Sequence, residues 1–512
     1  MAVPAIRINT LVDLPVNATG DHVLYWMTAT RRTSWNFSLD HAIDLATRLD
    51  KPLIVLEPLR AGYRWACDRF HAFVAQGMAD NAAAFAAANV AYHPYLEPQP
   101  GDGKGLLLAL AANACVVVGD DWPSFFMPKM QQAAALQLRE IGVRFDVVDS
   151  NGLLPIRAAG EQVFGTAHSF RRFLHKTLPK HLFERPSSSP LKQLKLPSTT
   201  IPKAVREQWP AATDLSGSTA SLAHLPIDHS IGPVELRGGE VAARAHAQAF
   251  LARRLKSYVD DRSVPDKNGQ SGLSPWLHWG HISTHEIVDL LWQAEGFTPA
   301  SLSSTPTGSR EGWWGMSAAA EAFLDELVTW REVGFNMSSR VADYDRWSSL
   351  PGWAKTTLLE HLGDHREHVY SLDDLDTAAT YDPLWNAAQK QLVREGVIHN
   401  YLRMLWGKKV LQWSKDPRVA VEHLIELNNR YAIDGRDPNS YSGIFWVFGR
   451  YDRPWGPVRP IFGAIRYMTS ENTQKKHDCG AYLERYNGPS TTTKKKRAAS
   501  TKKPTTKQAD MW

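Results

Sequence analysis

Two hydrophobic rhythms divide this chain. Between His22 and about Leu154, short runs of β-branched and aromatic residues alternate with alanine-rich stretches, whereas from Val241 onward the pattern is that of amphipathic helices alone. Strands are predicted over residues 23–27, 53–56, 90–92, 115–118 and 145–148, with helices such as 39–49 and 130–141 between them. Strand and helix in alternation build a parallel sheet covered by helices. The later segments 242–259, 283–294, 318–333, 382–397 and 419–430 read as helices of a second domain. The expected fold class is an α/β parallel-sheet, Rossmann-like domain followed by an all-α domain. No G-x-G-x-x-G follows the first predicted strand, so a Rossmann dinucleotide site is not expected despite the similar architecture.

Residues 1–157 are assigned to the α/β domain and 241–488 to the helical one. The stretch 158–240 is rich in Ser, Pro and Thr and reads as a long connector wrapping the surface. Residues 489–512, with Lys494, Lys495, Lys496 and Arg497, cannot bury a core and are expected to form a disordered basic tail. Such a tail suits DNA, nuclear import or solubility equally.

The 512 residues, 43% hydrophobic, suffice for large cores, and the net charge of +5 permits an anionic partner without demanding one. Cys67, Cys115 and Cys479 are far apart and signal neither a disulfide framework nor zinc, so no metal is expected and a reducing cytoplasm or nucleus fits best. The first 21 residues hold no apolar signal region, and the longest apolar run, 105–118, is interrupted by Asn113 and too short to span a bilayer. Neither secretion nor membrane insertion is expected. More unusual are the 19 tryptophans, thirteen of them from Trp276 to Trp455. Aromatics this large pack in a core, stack on a ligand or carry electrons.

Two segments invite a ligand. Ser271-Gly272-Leu273-Ser274-Pro275 reads as a turn entering a helix, with Ser274 as N-cap and Pro275 in the first turn, an end that offers backbone N–H groups to a phosphate. Tyr258, upstream, is placed to reach the same phosphates. Asp434-Gly435-Arg436-Asp437-Pro438-Asn439 suits a plain Asx turn as well as a ligand loop. Alone, each segment is as easily structural as functional.

In this order, together with Asp382-Pro383-Leu384-Trp385-Asn386, the stretch from Tyr401 to Trp413, Leu427-Asn428-Asn429-Arg430-Tyr431 and the stretch from Pro460 to Met468, they resemble the photolyase and cryptochrome family, specifically its class II cyclobutane pyrimidine dimer photolyases, from about residue 20 to 488. The resemblance implies a light-driven carbon–carbon lyase that holds folded FAD in its helical domain, with ultraviolet-damaged DNA as partner and a monomer as the working unit. It places Tyr258, Ser271, Gly272, Leu273 and Ser274 at the FAD phosphates, Arg403 and Asp434 as an ion pair beside the isoalloxazine with Asn400 near them, and Asn428 facing flavin N5. Glu326 matches the acid that contacts the dimer, Trp330 and Trp446 the pair that stacks on the flipped lesion, and Arg453 the side chain that fills the gap it leaves. Trp406, Trp385 and Trp413, in that order toward solvent, match an electron-transfer chain. A protonated Glu326, its pKa raised against an apolar aromatic wall, would donate a hydrogen bond to charge developing on a pyrimidine carbonyl.

The chain departs from the family pattern twice. Thr28-Ala29-Thr30-Arg31-Arg32 stands where Ser-Arg-Asp-Gln-Arg is usual, and Val333-Gly334-Phe335-Asn336 stands where Leu-Ala-Asp-Asn is usual, close enough in sequence to Glu326 to modify the substrate site. An antenna chromophore on the α/β domain is left open among deazaflavin, folate, flavin and none. Rival readings are a signalling flavoprotein of the cryptochrome type, repair of the (6-4) photoproduct, and a non-catalytic DNA-binding protein.

Overall fold

The computed structural model describes residues 2–488. The basic tail therefore lies outside the described residues. Six strands form one sheet in the order β1-β6-β5-β2-β3-β4: β1 Ile8–Val12, β2 His22–Trp26, β3 Leu53–Leu59, β4 Ala91–Leu96, β5 Ala114–Asp120 and β6 Phe145–Val148. Five strands run parallel, in register such as Val23 with Leu53 and Val118 with Asp146. The exception is β1, an antiparallel edge strand on β6 that the sequence reading did not contain. Only Val12 of β1 is buried, so its sequence lacks the apolar run of a central strand. By contrast β2 and β5 are buried throughout, as expected of parallel strands covered on both faces.

Alternate residues feed two cores. Leu24, Ile54 and Val117 face one side, and Val23, Tyr25, Val55, Val116 and Val118 face the other, the period-two alternation of a strand. Helices α1 (Phe37–Leu49), α2 (Asp68–Ala87) and α3 (Met127–Glu140) connect the strands. Asn36 starts α1 by accepting a hydrogen bond from the Leu39 N–H.

The second half is helical, and one large apolar cluster unites it. That cluster also takes Phe70 and Phe73 from α2, so the sheet domain shares its core. Arg69 of α2 donates to the carbonyls of Tyr431 (2.8 Å) and Val393 (2.6 Å), satisfying helix C-terminal groups of α8 (Pro383–Glu395) and α10 (Pro417–Tyr431). The stretch expected to wrap the surface does more than that. It contains α4 (Ala167–Thr177), capped by Thr166, whose Phe170 and Leu174 enter the same core.

The predicted helix 242–259 is α5 (Glu240–Arg253) followed by two short turns ending at Asp261. The predicted helix 318–333 is also composite. It runs as α6 (Ala318–Leu324), then a π turn over Asp325–Trp330, then α7 (Arg331–Arg340). Further on come α9 (Asn400–Trp413) and α11 (Pro438–Trp446), and α11 packs along α7. Gly334 permits this approach, since a Cβ there would meet the Pro438 carbonyl and the Ser442 hydroxyl at 2.8 Å each.

Candidate active site

Helix α9 is buried along nearly its whole length, lysines included, and therefore presents functional side chains on several faces at once. Near its start, Arg403 pairs with Asp434 at 3.3 Å and points Nη1 at the Asn428 side-chain oxygen (3.4 Å). Asn428 is buried, and its amide nitrogen donates to Ser440 Oγ (2.8 Å) and to the Asn429 side-chain oxygen (3.1 Å), which turns its own oxygen toward Arg403. The segment from Asp434 to Asn439 resolves into two parts. Asp434 serves the ion pair, while Asp437 caps α11 by accepting from the Asn439 N–H. Asn400, expected beside this pair, is exposed at the first turn of α9.

From Arg403, one turn along α9, comes Trp406. Its ring lies 6.5 Å from that of Trp385, nearly parallel at 6°, and Trp385 lies 5.5 Å from Trp413 at 72°. Trp385 donates its indole N–H to the Trp406 carbonyl (3.0 Å), and Trp406 donates to Gln389 (2.9 Å), so the two rings are locked. The three tryptophans thus form one contiguous row with Trp385 in the middle. The expectation that Trp413 ends the row at solvent is corrected: Trp413 is only 2% exposed, walled by Tyr370 (5.1 Å) and Tyr381 (5.8 Å), and the exposed ring is Tyr381. Lys409, paired with Asp382 at 3.2 Å, borders this end of the row.

Glu326 sits in the π turn, where the extra residue per turn redirects side chains relative to an α-helix. It faces a cation, not an apolar wall alone: Arg262 Nη1 donates to Glu326 Oε1 at 2.7 Å, and the guanidinium also lies over the Tyr258 ring at 5.5 Å. Burial pushes the Glu326 carboxyl above the ordinary carboxylate range, with Arg262 offsetting part of the rise and Asp325 adding to it. Asp325 is held away by a bidentate pair with Arg171 (2.7 and 3.1 Å). Arg262 was absent from the sequence reading. Its spacing from Tyr258, one helical turn, was the available signal.

Trp330 closes the π turn, half-buried, with its indole N–H inside the protein and unpartnered. Trp446 ends α11, and five residues later the chain meets the start of α7, where Tyr451 donates to the Val333 carbonyl (3.3 Å). The Trp446 ring, expected to be partly open, is 8% exposed and carries two cations, Lys408 at 4.8 Å and Arg466 at 5.5 Å. Arg453 is exposed and lies over Trp455 instead, at 4.9 Å.

At the other expected ligand segment, Gly272 has φ +69° and Leu273 is buried, so this stretch offers backbone rather than side chain at that residue. Ser274 is the first residue of the one-turn helix Ser274–His278, and Leu273 precedes it as N-cap without a side-chain cap, which corrects the reading of Ser274 as N-cap. Ser271 is fixed by its carbonyl, which meets His246 Nε2 at 2.7 Å. Tyr258 is buried against Phe250 and Phe323.

This chain is 32% identical over 484 residues to the deoxyribodipyrimidine photo-lyase of Methanothermobacter thermautotrophicus, a match covering 94% of this chain and 98% of that one. The chain belongs to the deoxyribodipyrimidine photo-lyase family. Photo-lyases of the same name from Oryza sativa subsp. japonica (33% identical, covering 91% of this chain and 87% of the relative) and Potorous tridactylus (31%, covering 91% and 81%) agree. No protein-family model matches the chain. The fold matches the crystal structure of a bacterial class III photolyase from Agrobacterium tumefaciens with TM-score 0.66 at 19% identity, covering 91% of this chain and 86% of that one.

The two departures from the family pattern have a place in this photo-lyase. Thr28, Ala29 and Thr30 donate their backbone N–H groups to one carboxylate oxygen of Asp120, at 2.8, 2.8 and 2.9 Å, closing the ends of β2 and β5. Phe335 packs edge-on against Trp122 (5.3 Å, 87°) and shares a small apolar cluster with Ala29. Phe335 thus points at the sheet domain, while Gly334 of the same departure lies against α11, the helix that ends in Trp446. Next to this cluster, where the strand order reverses around β2, a cleft opens between Thr28, Tyr63, Trp122, Phe126, Trp279 and Arg436.

Proposed function

We propose that this chain is a light-driven, FAD-dependent class II photo-lyase that reverses cyclobutane pyrimidine dimers in DNA as a monomer, in the cytoplasm or nucleus. Among the described residues no helix is long and apolar enough to cross a membrane. The observation that carries the proposal is α9, which presents Arg403, paired with Asp434, one turn before Trp406, the inner end of a tryptophan row.

The donor set suits FAD. Arg403, Asp434 and Asn428 give a polar, charge-paired edge for a flavin ring, with Asn400 at the rim, and Tyr258 with the Ser271, Gly272, Leu273 and Ser274 turn gives hydroxyls and the N–H groups of a helix start for phosphates. Held there, reduced FAD excited by light would supply the electron for splitting the cyclobutane ring. The protein's part is to hold the dimer and the protons. Trp330 and Trp446 offer faces for an extruded dimer, and base–aromatic stacking contributes about 1–3 kcal/mol per base. Glu326, protonated to higher pH than an ordinary glutamate, donates a hydrogen bond where charge develops on a pyrimidine carbonyl, and Arg262 fixes its second oxygen. Trp406, Trp385 and Trp413 conduct an electron inward to keep the cofactor reduced. Arg453, exposed, contacts DNA outside the pocket. The cleft beside β2, lined by Trp122, Phe126 and Trp279 and by the buried, unpartnered Tyr63 hydroxyl, is where a flat aromatic second chromophore would bind.

The test is an absorption spectrum of the purified protein followed by illumination with a dimer-containing oligonucleotide. Flavin bands and light-dependent loss of dimers are expected. Flavin with no dimer loss would leave the signalling reading standing, and a colourless protein would overturn both.

A further inference from the structure

Lys408 of α9 has a burial that ordinary packing does not explain. Its side chain is wholly buried, yet its Nζ donates to a backbone carbonyl, that of Val447, at 2.6 Å. A methionine would fill the same volume without burying an ammonium, so the lysine is there for what its nitrogen holds. Val447 directly follows α11, and its carbonyl belongs to the helix end that leaves such groups without intrahelical partners. The same nitrogen lies 4.8 Å from the centroid of the Trp446 ring. The neighbouring residue of α9 is shaped to the same point, since a Cβ on Gly407 would strike Val447 Cγ2 at 2.4 Å. One missing side chain and one long one thus fit α9 to the end of α11. Burial lowers the ammonium's pKa to about 7, with Asp452 opposing and Arg466 reinforcing the shift.

We propose that Lys408 is a positioning residue for lesion binding, which fixes Trp446 as the wall of the dimer pocket by tying the last carbonyls of α11 to the helix that carries Arg403 and Trp406. The proposal rests on the reading of Trp446 as that wall.

Lys408→Met keeps the volume and removes the donor. The dissociation constant for a dimer-containing oligonucleotide should rise about tenfold, the effect of losing one charge-assisted hydrogen bond. Affinity for undamaged duplex and the flavin spectrum should stay as they are, and KM for repair should rise by more than kcat falls. Lys408→Gln, which retains an N–H donor, should recover part of the loss. Equal weakening toward both DNAs, or no weakening, overturns the role. Should the variants fail to fold, NMR of the wild-type protein with labelled lysine side chains decides. The Lys408 signal, assigned through its contact with the Trp446 ring, should shift on adding the dimer oligonucleotide and not the undamaged one, and a signal unmoved by the dimer overturns the proposal. Trp446→Ala separates the two readings. If it binds dimers normally, the wall assignment fails and this role with it, whereas selective loss in Trp446→Ala but none in Lys408→Met condemns Lys408 alone.

Discussion

Tryptophan builds two regions of this photo-lyase on opposite terms. In the row Trp406, Trp385 and Trp413 the rings meet one another at 6.5 and 5.5 Å, and the cation at its end, Lys409, is neutralised by Asp382 at 3.2 Å. At Trp446 the ring meets charges: Lys408 has only a carbonyl as its close partner, and Arg466 shares its charge with Asp452. A cation over an indole face attracts its electrons and makes them harder to remove. Under the proposed function the row is the place where an electron moves, and the Trp446 wall is a place where it should not. Residue type is common to both regions, and the surroundings divide the work.

The comparison breaks most visibly at Trp406. Phe in its place keeps the core filled but is far harder to oxidise, so light should no longer reduce oxidised FAD, while repair by chemically pre-reduced protein continues. Stopped-light absorption at the flavin bands reads this directly. Normal photoreduction in Trp406→Phe would mean that the row is only packing.

How much of this was legible in the sequence differs between the halves. Strands β2, β3, β5 and β6 announce themselves through apolar runs because both sheet faces are covered. The edge strand β1, reading Ile-Asn-Thr-Leu-Val with only its last residue buried, carries no such run. Helix α4 hid in a Ser- and Pro-rich neighbourhood, although Phe170 and Leu174 stand one turn apart on its inner face. The π turn is invisible to any search for 3.6-residue spacing, and it is where Glu326 and Trp330 sit. The site assignments rest on motif order, not on periodicity. Arg262 and Arg466 escaped because each acts through a partner distant in sequence, Glu326 and Trp446. The departures at Ala29 and Phe335 looked independent along the chain, but they meet in one apolar cluster where the family pattern carries Arg and Asp.

On the wall side, Glu326→Ala removes the donor for the developing charge and should slow repair under continuous light by up to ~10²-fold, with FAD content nearly unchanged. Wild-type repair in this variant would leave the wall without an acid. Trp446→Ala comes next. Its ring is mostly buried, so some loss of melting temperature is expected, and the decisive readout is the ratio of affinities. Losing one stacked base predicts ~5- to 150-fold weaker binding to dimer-containing DNA, with undamaged duplex little changed. A parallel fall in both affinities would make Trp446 a core residue like Trp385 and dissolve the contrast.

The smallest expected effect tests the electrostatics of the wall itself. Glu326 is raised above the ordinary carboxylate range by burial, and Arg262 at 2.7 Å offsets part of that rise. A carboxyl that must donate a hydrogen bond works below its own pKa and fails as the pH climbs through it. Removing the cation by Arg262→Gln takes away the main opposition to burial, so the pKa should rise further. Repair yield of pre-reduced protein, measured against pH at a fixed light dose, should then persist to higher pH in the variant than in the wild type. The same sign holds for folding. A carboxyl whose pKa is raised by folding contributes fully below its unfolded pKa and loses that contribution as pH rises through the folded pKa, so in the variant the loss should begin at the same pH, extend to higher pH and be larger. A profile that moved to lower pH would show that Glu326 works ionised, paired with Arg262, and the wall would then hold its dimer by charge instead of by a donated proton.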